Sequence, residues 1–316
     1  MRHFQLPKFI SGLDYFILIL ALLLTAFGIA SIYSAGIDSE GVRFSNEYSK
    51  QIIWAVSGLG IMIAAMALDI SRLKDYTVFA YMAILLLLLY TRFAGRVVNG
   101  ARSWIGVGEY GIQPAEFAKI ITILFLARYL DLSDQSSSFK RLIASLGITG
   151  IPVLLILSQP DFGSALVFFP ILIVMLYVGG IDRRYILFIL LSIGFTFIFL
   201  MLPLAGRYFF PGGNILDLFF QRPGYVVMLS GLFLIALALS LWGWLVFKKQ
   251  YYFWLSYGLS VLDLSIVLAL AGHKVLKDYQ IMRLMVFLNP NVDPQGAGWN
   301  IIQSVTAIGS GGLAGK

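Results

Sequence analysis

The sequence contains no cysteine and only two histidines, and it carries little charge for its length. Without cysteine, disulfides, zinc–thiolate sites and iron–sulfur ligands are excluded. A histidine-based metal site or a Ser–His–Asp triad would have to be built from His3 and His273, which disfavours both. Charged residues make up 12% of the 316 residues, whereas a soluble domain carries roughly 25%. The composition therefore excludes disordered, fibrous and ordinary cytosolic proteins.

Hydrophobic residues make up 59% of the chain and gather in long runs. A spanning helix needs about 20 mostly apolar residues, and a membrane barrel would instead alternate polar and apolar residues. The runs predict an all-α, polytopic transmembrane helical bundle of about nine spans with a large extracytoplasmic C-terminal loop. The predicted spans lie near 13–33, 52–68, 76–93, 115–130, 142–158, 163–180, 185–204, 225–247 and 252–272.

Lysine and arginine predict the orientation of the bundle. With the N-terminus on the cytoplasmic side, the inside loops are short and densely basic, whereas the outside basic residues are widely spread. The two largest non-spanning pieces, 94–114 and 273–316, then lie outside. The outside basic residues either bind an anionic ligand or simply keep the loops solvated. The net charge of +7 suits contact with anionic membrane lipid and does not by itself indicate nucleic acid.

The first candidate site follows the third predicted span. Arg102 and Trp104 lie in a Gly-rich turn region, and Gln113-Pro114 then opens a helix. Glu116 and Lys119 are three residues apart, so they share one face of that helix. Charged groups at membrane depth pair with each other or face a wet cavity. Both interpretations stay open: a polar groove, or a self-satisfied ion pair that holds the bundle together.

The second candidate site is a polar hinge between two spans, Ser158–Gly163. Asp161 within it is either a functional carboxylate or the N-cap of the next helix, where a carboxylate is favoured.

The third candidate site is the region from Asp278 to the end, in which Asp293 stands in an Asn-Pro…Asp-Pro-x-Gly-x-Gly loop. Turn chemistry exposes this loop, so Asp293 is either a turn-former or a catalytic carboxylate. Arg283 precedes it, and Gln303 and Ser304 follow on a short helix. The glycines at 309–312 do not form a P-loop, because Ser310 stands where the first glycine is required.

Several motifs together resemble the RodA/FtsW/SpoVE (SEDS) family of cell shape, elongation, division and sporulation proteins, nearest to its RodA branch. They run in the family order through most of the chain, and the last is long and highly specific. The matching pieces are Gly100–Trp104, Gln113–Glu116 with Lys119, Gln159–Gly163, Tyr279-Gln280 and Phe287–Lys316.

The resemblance implies a peptidoglycan glycosyltransferase of the bacterial cytoplasmic membrane that polymerises Lipid II on the outer face. The family's essential carboxylate falls on Asp293, which implies a base for the attacking sugar hydroxyl. Further positions of the implied substrate groove are Glu116, Lys119, Trp104 and Asp161, to which the residue types add Arg102, Arg283, Gln303 and Ser304.

The leaving pyrophosphate needs cationic stabilisation, from Arg and Lys or from a divalent metal such as Mg²⁺ or Mn²⁺. No organic cofactor is expected. The resemblance implies a class B penicillin-binding protein as the transpeptidase partner, together with other membrane proteins of the elongation complex, and no nucleic acid.

The resemblance also implies one membrane domain over 1–316, with 206–275 as an inserted pair of helices and 276–316 as the loop that carries Asp293. Family members continue past the final Gly-Lys into a further loop and three more spans, so a C-terminally incomplete chain is expected. Two other functions stay open: a flippase for the lipid-linked precursor, and an inactive scaffold for a penicillin-binding protein.

Overall fold

The structure is a computed structural model that is helical over most of its described length. It describes residues 14–37, 42–43, 45–66, 70–98, 101–107, 110–209, 223–275, 282, 285–286, 289–296 and 298–312. The helices are α1 Tyr15–Ala35, α2 Glu47–Met66, α3 Ile70–Ala94, α4 Pro114–Leu132, α5 Ser138–Ser158, α6 Phe162–Leu166, α7 Phe168–Val178, α8 Arg183–Phe209, α9 Pro223–Phe247, α10 Gln250–Val275 and α11 Trp299–Gly311. Three short strands, β1 Arg96–Val98, β2 Ala101–Val107 and β3 Tyr110–Ile112, and a 3₁₀ helix at Pro290–Val292 complete the elements.

Seven helices within the described residues are long and apolar enough to cross a membrane. The predicted all-α, polytopic architecture is therefore confirmed. Two of the nine predicted spans differ from the others. The helix α4 is charged at Glu116 and Lys119, and the run 163–180 forms a shorter helix, Phe162–Val178, that is interrupted at Val167. Pro170 explains the interruption, because a proline donates no N–H to the carbonyl four residues earlier.

The chain divides into two compact units, Met1–Tyr76 and Thr77–Lys316. The first unit contains α1, α2 and the first residues of α3. Asp14 caps α1, since its Oδ1 accepts from Phe16 N at 3.0 Å and from Ile17 N at 3.3 Å. The guanidinium of Arg43 lies over the rings of both Tyr33 and Tyr48, 5.3 and 5.1 Å from their centroids. These contacts fix the helix start and the connection between α1 and α2.

In the second unit, α4 and α7 run antiparallel to α5, so helix ends meet at two opposite ends of the bundle. At one end, which we call the sheet end, the strands and the start of α4 meet the end of α5. A core of apolar side chains from α3 to α7 supports this end: Ile84, Leu88, Ala115, Ala118, Ile156, Ala165 and Phe168. A second core lies towards the opposite end, which we call the loop end, and includes Leu126, Leu130, Leu142, Leu172, Leu176, Ile181 and Ile186.

Arg141 ties the helices together at the loop end. Its side chain is buried, and Nη2 donates to Leu130 O at 2.9 Å and to Gly179 O at 2.7 Å. These carbonyls lie at the C-terminal ends of α4 and α7, where backbone C=O groups have no hydrogen-bond donor within the helix. The guanidinium also lies 3.7 Å from Asp134. Arg141 therefore caps two helix C-termini at once.

The helices α8, α9 and α10 are joined by buried polar contacts. Ser230 Oγ in α9 donates to Asp263 Oδ1 in α10 at 2.7 Å, and Ser265 Oγ in α10 lies 3.0 Å from Ser192 O in α8. A buried polar group is costly unless it is hydrogen-bonded, and the bond from Ser230 on the neighbouring helix supplies a partner for the Asp263 side chain.

The helix α8 connects the two ends of the second unit. Ile186, in its first turn, packs in the core near the loop end, whereas Leu200 and Met201 pack against Met285. Fourteen residues of helix rise about 21 Å. Met285 therefore lies towards the sheet end along α8. Asn289 N donates to Met285 O at 2.9 Å, and Asn289 begins the loop of residues 289–298 that carries Asp293, which we call the Asp293 loop.

Candidate active site at the sheet end

The strands form a three-stranded antiparallel sheet in the order β1-β2-β3. Arg102 is exposed on β2; its Nη1 donates to Phe93 O at 3.1 Å, and its backbone N donates to Gln159 O at 3.2 Å. The half-buried Trp104 packs over Gly111, where a Cβ atom would lie only 3.1 Å from the indole ring. The sheet is thus fixed to the ends of both α3 and α5, with Arg102 facing solvent.

The helix α4 begins at this sheet. Gln113 is its N-cap in an extended conformation, and Pro114 occupies the first helical position, where its fixed φ suits a helix start. The Gln113 amide donates from Nε2 to Asp161 Oδ2 and to Ser164 Oγ, the latter at 3.0 Å. The start of α4 is therefore bonded to the start of α6, 48 residues away.

Glu116 and Lys119 form the ion pair that their spacing predicts. Lys119 Nζ lies 2.8 and 2.7 Å from the two Glu116 carboxylate oxygens. The Lys119 side chain is 18% exposed and the Glu116 side chain 54% exposed. The pair is self-satisfied, yet Glu116 stays open to solvent. An ion pair with an exposed partner contributes at most about 1 kcal/mol to stability, so little stability is lost if a ligand replaces one of the two partners.

Asp161 is the N-cap of α6. Its Oδ1 accepts from Ser164 N at 3.1 Å, and its Oδ2 accepts from Ser164 Oγ at 2.9 Å and from Gln113. The capping interpretation from the sequence is therefore confirmed, and the carboxylate has three donors around it.

Gln159 is a site residue that the sequence analysis did not single out. It is fully buried, and its Nε2 donates to Leu88 O in α3 at 2.8 Å. The backbone carbonyl of Gln159 also accepts from Arg102 N. Gln159 therefore joins α3, α5 and β2. The sequence shows that Gln159 belongs to the Gln-Pro-Asp motif. It does not show which residues Gln159 contacts, because these residues are distant along the chain.

Local hydrogen bonds from backbone N–H groups to side-chain and backbone oxygens shape the Asp293 loop. Asn289 Oδ1 accepts from Asn291 N at 3.0 Å, Asp293 Oδ1 accepts from Gly296 N at 3.1 Å, and Asp293 O accepts from Gly298 N at 2.9 Å. Asp293 is half-buried in this turn. The loop therefore presents one carboxylate in a defined orientation. Its approach to Glu116 and Lys119 stays a prediction.

Two further predicted site residues lie on α11, and none of the hydrogen bonds given above involves them. Gln303 and Ser304 are exposed on α11, and Ser304 Oγ donates to Asn300 O in its own helix. Arg283 lies outside the described residues.

The residues do not form a preformed metal cage. In the part of the chain that the structure describes, no group of three or more metal-binding side chains comes together. Magnesium is often bound by one or two carboxylates plus substrate phosphates, so a metal that entered with a phosphate-bearing ligand would suit exposed Glu116 better than engaged Asp161. The divalent cation stays a prediction.

Comparison with known proteins gives one consistent result. The model of the FtsW/RodA/SpoVE family, described as "Cell cycle protein", matches residues 14–209 and 223–316. The matched range includes α9 and α10, and their interpretation as an insertion stays a prediction.

Three curated relatives illustrate the similarity. "Peptidoglycan glycosyltransferase RodA" of Treponema pallidum is 45% identical over 97% of this chain and 71% of its own length. "Stage V sporulation protein E" of Bacillus subtilis is 29% identical over 96% of this chain and 64% of its own length. "Probable peptidoglycan glycosyltransferase FtsW" of Geobacter metallireducens is 27% identical over 98% and 65%. The chain thus spans about two thirds of these relatives.

Two solved structures also match. A chain of a peptidoglycan synthase complex is 25% identical with a TM-score of 0.49, over 96% of this chain and 67% of that one. The rod shape-determining protein RodA of Thermus thermophilus is 25% identical with a TM-score of 0.47, over 88% and 85%. From the family match and the Treponema relative, the chain belongs to the FtsW/RodA/SpoVE family of cell cycle proteins.

Proposed function

We propose that this protein is a peptidoglycan glycosyltransferase that polymerises Lipid II into glycan strands during elongation of rod-shaped cells. The observation that carries the proposal is the 45% identity, over 97% of the chain, with a relative named for this activity. The sheet end adds suitable chemistry, because exposed Arg102, Glu116 and the half-buried Trp104 lie on connected elements there.

The protein is a multi-pass membrane protein, and its orientation is part of the proposal. Short basic loops favour a cytoplasmic N-terminus. The sheet end and the Asp293 loop then face the outside of the bacterial cytoplasmic membrane, where Lipid II presents its disaccharide. Arg141 and the loop end face the cytoplasm.

Asp293 acts as the general base in the proposed reaction. Its carboxylate takes the proton from the acceptor's 4-hydroxyl while that oxygen attacks the donor's anomeric carbon. The bond from that carbon to the pyrophosphate oxygen breaks, and undecaprenyl pyrophosphate leaves with the electron pair. A single displacement inverts the α-linked donor to a β-linked product, so no carboxylate nucleophile is required.

Cationic side chains stabilise the charge that develops on the leaving pyrophosphate. Lys119 and Arg102 are the candidates within the described residues, and Arg283 is a further one from the sequence. Trp104 offers an aromatic face to the substrate, while Gln303 and Ser304 offer polar contacts on α11. A class B penicillin-binding protein and other elongation-complex membrane proteins are the proposed partners, since polymerised strands must be crosslinked.

The substitution Asp293→Asn tests the proposal, because it keeps an Oδ1 acceptor for Gly296 N and removes the base. A general base contributes about 10²- to 10⁴-fold, so polymerisation of purified Lipid II should fall by at least about a hundredfold. Asn291→Ala is the matched control, since Asn291 lies exposed in the same loop, and its activity should stay near that of the unsubstituted protein.

The measurements are polymer length on gels and thermal unfolding in detergent at equal amounts of folded protein. Normal polymer from Asp293→Asn would refute the role of this carboxylate. Movement of precursor across liposomes without polymer would instead indicate a flippase, and tight binding of a penicillin-binding protein without either activity would indicate a scaffold.

A further inference from the structure

The carboxylate of Asp161 is held by donors from two different helices. Ser164 supplies its backbone N–H and its hydroxyl, which fix the carboxylate at the start of α6. Gln113 supplies Nε2 from the start of α4, and the same nitrogen lies 3.0 Å from Ser164 Oγ. We call Gln113, Asp161 and Ser164 the cap network. Three donors use most of what one carboxylate can accept, which leaves little capacity for a substrate hydroxyl.

The cap network is well placed to control the ion pair on α4. Gln113 is the N-cap residue of α4, and rigid Pro114 follows it directly. Glu116 and Lys119 come three and six residues later, within about 9 Å along the helix axis. Each residue of an α-helix also turns about 100°, so a shift of Gln113 changes both the height and the direction of Glu116 and Lys119.

We propose that Asp161 is a positioning residue that works through Gln113, with Ser164 as its support, and that it does not bind substrate directly. The network sets the start of α4 and so aims Glu116 and Lys119 at the sheet end. This inference rests on the proposed function for its consequence, but the network itself is a property of the fold.

Reversing the polarity of the network separates positioning from direct binding. Gln113→Glu alone places two carboxylates face to face, and like charges this close oppose each other. Adding Asp161→Asn restores a donor opposite an acceptor, because the new amide at 161 can donate to the new carboxylate at 113. The amide at 161 still accepts from Ser164 N, and asparagine caps helices as well as aspartate does.

Polymerisation per amount of folded protein is the first readout. Asp161→Asn should lower the rate about fivefold, because Gln113 must rotate its amide and a charge-assisted bond becomes neutral. Gln113→Glu should lower the rate about a hundredfold, and the double substitution should recover to within about fivefold of the unsubstituted protein. Ser164→Ala, a milder change, should lower it about threefold. Asp14→Asn is the matched control, since Asp14 caps α1 in the other unit.

Hydrogen exchange of residues 113–120 is the second readout, and it does not depend on activity. Gln113→Glu should speed exchange at the start of α4, and the double substitution should restore protection. Restored protection with persistent inactivity would overturn the proposal, because the charge of Asp161 would then act on the substrate. Exchange unaffected by Gln113→Glu would overturn the network itself. Absence of polymer from the unsubstituted protein would refute the proposed function, and exchange alone would then decide the network.

Discussion

Gly298 is a residue of the Asp293 loop whose lack of a side chain permits a close backbone contact. Its φ of −79° and ψ of −18° suit any amino acid, so glycine is not required for conformation. It is required for space. A Cβ atom at 298 would lie closer than 3.0 Å to Pro290 O and 2.7 Å from Asp293 O. Gly298 N also donates to Asp293 O at 2.9 Å, so the two ends of this turn are in direct backbone contact.

The expected effect of Gly298→Ala follows from these distances. Ordinary contacts of a Cβ atom begin near 3.4 Å, so Asp293 O must move by about 0.7 Å. Both neighbours are backbone atoms and cannot rotate away, which places the destabilisation near the upper end of about 1–3 kcal/mol for overpacking. A misplacement of 1 Å at a reacting group can cost about 10²-fold in rate, so polymerisation should fall roughly 10- to 100-fold.

Gly309→Ala is the matched control, because Gly309 lies within α11, and among the described residues only the backbone of its own helix lies within 4 Å of an added Cβ. Alanine favours a helix by about 1 kcal/mol over glycine, so this variant should be as stable as the unsubstituted protein or more stable. The assay is Lipid II polymerisation at equal amounts of folded protein, with thermal unfolding alongside. Full activity of Gly298→Ala with an unchanged melting temperature would refute the steric reasoning.

Two further predictions concern the opposite end of the bundle and the ion pair. Arg141→Met should lower the free energy of unfolding by about 2–4 kcal/mol, because two charge-assisted bonds to helix C-termini are lost; thermal unfolding in detergent checks this, and an unchanged melting temperature would contradict the double cap. Lys119→Met should lower polymerisation at least about tenfold with less than about 1 kcal/mol of destabilisation. Lys50→Met, which breaks the equally spaced pair with Glu47 in α2, should leave activity near normal, and equal losses in both variants would contradict a specific role for Lys119.

The spans were predictable because burial in lipid forces apolar residues into runs of about 20. The predicted run 163–180 was also helical, and Pro170 was the visible signal for its interruption at Val167. The three strands around Arg102 and Trp104 were not predicted, because two of them have three residues each and show no alternation to read. Strands β1 and β3 are recognised only by their hydrogen-bonded pairing with β2.

The site was predictable where its geometry is local. The three-residue spacing of Glu116 and Lys119 predicted a shared face, and the structure shows the ion pair. The bond from Gln113 to Asp161 crosses 48 residues and therefore leaves no local pattern. Gln159 was passed over for the same reason, since its contact with Leu88 crosses 71 residues.

The hydrogen bonds described for the Asp293 loop join residues only two to five positions apart. These bonds therefore need no contact with distant parts of the chain in order to form. We expect the loop, when it is grafted into a relative of the same family, to keep these bonds and with them the orientation of the Asp293 carboxylate.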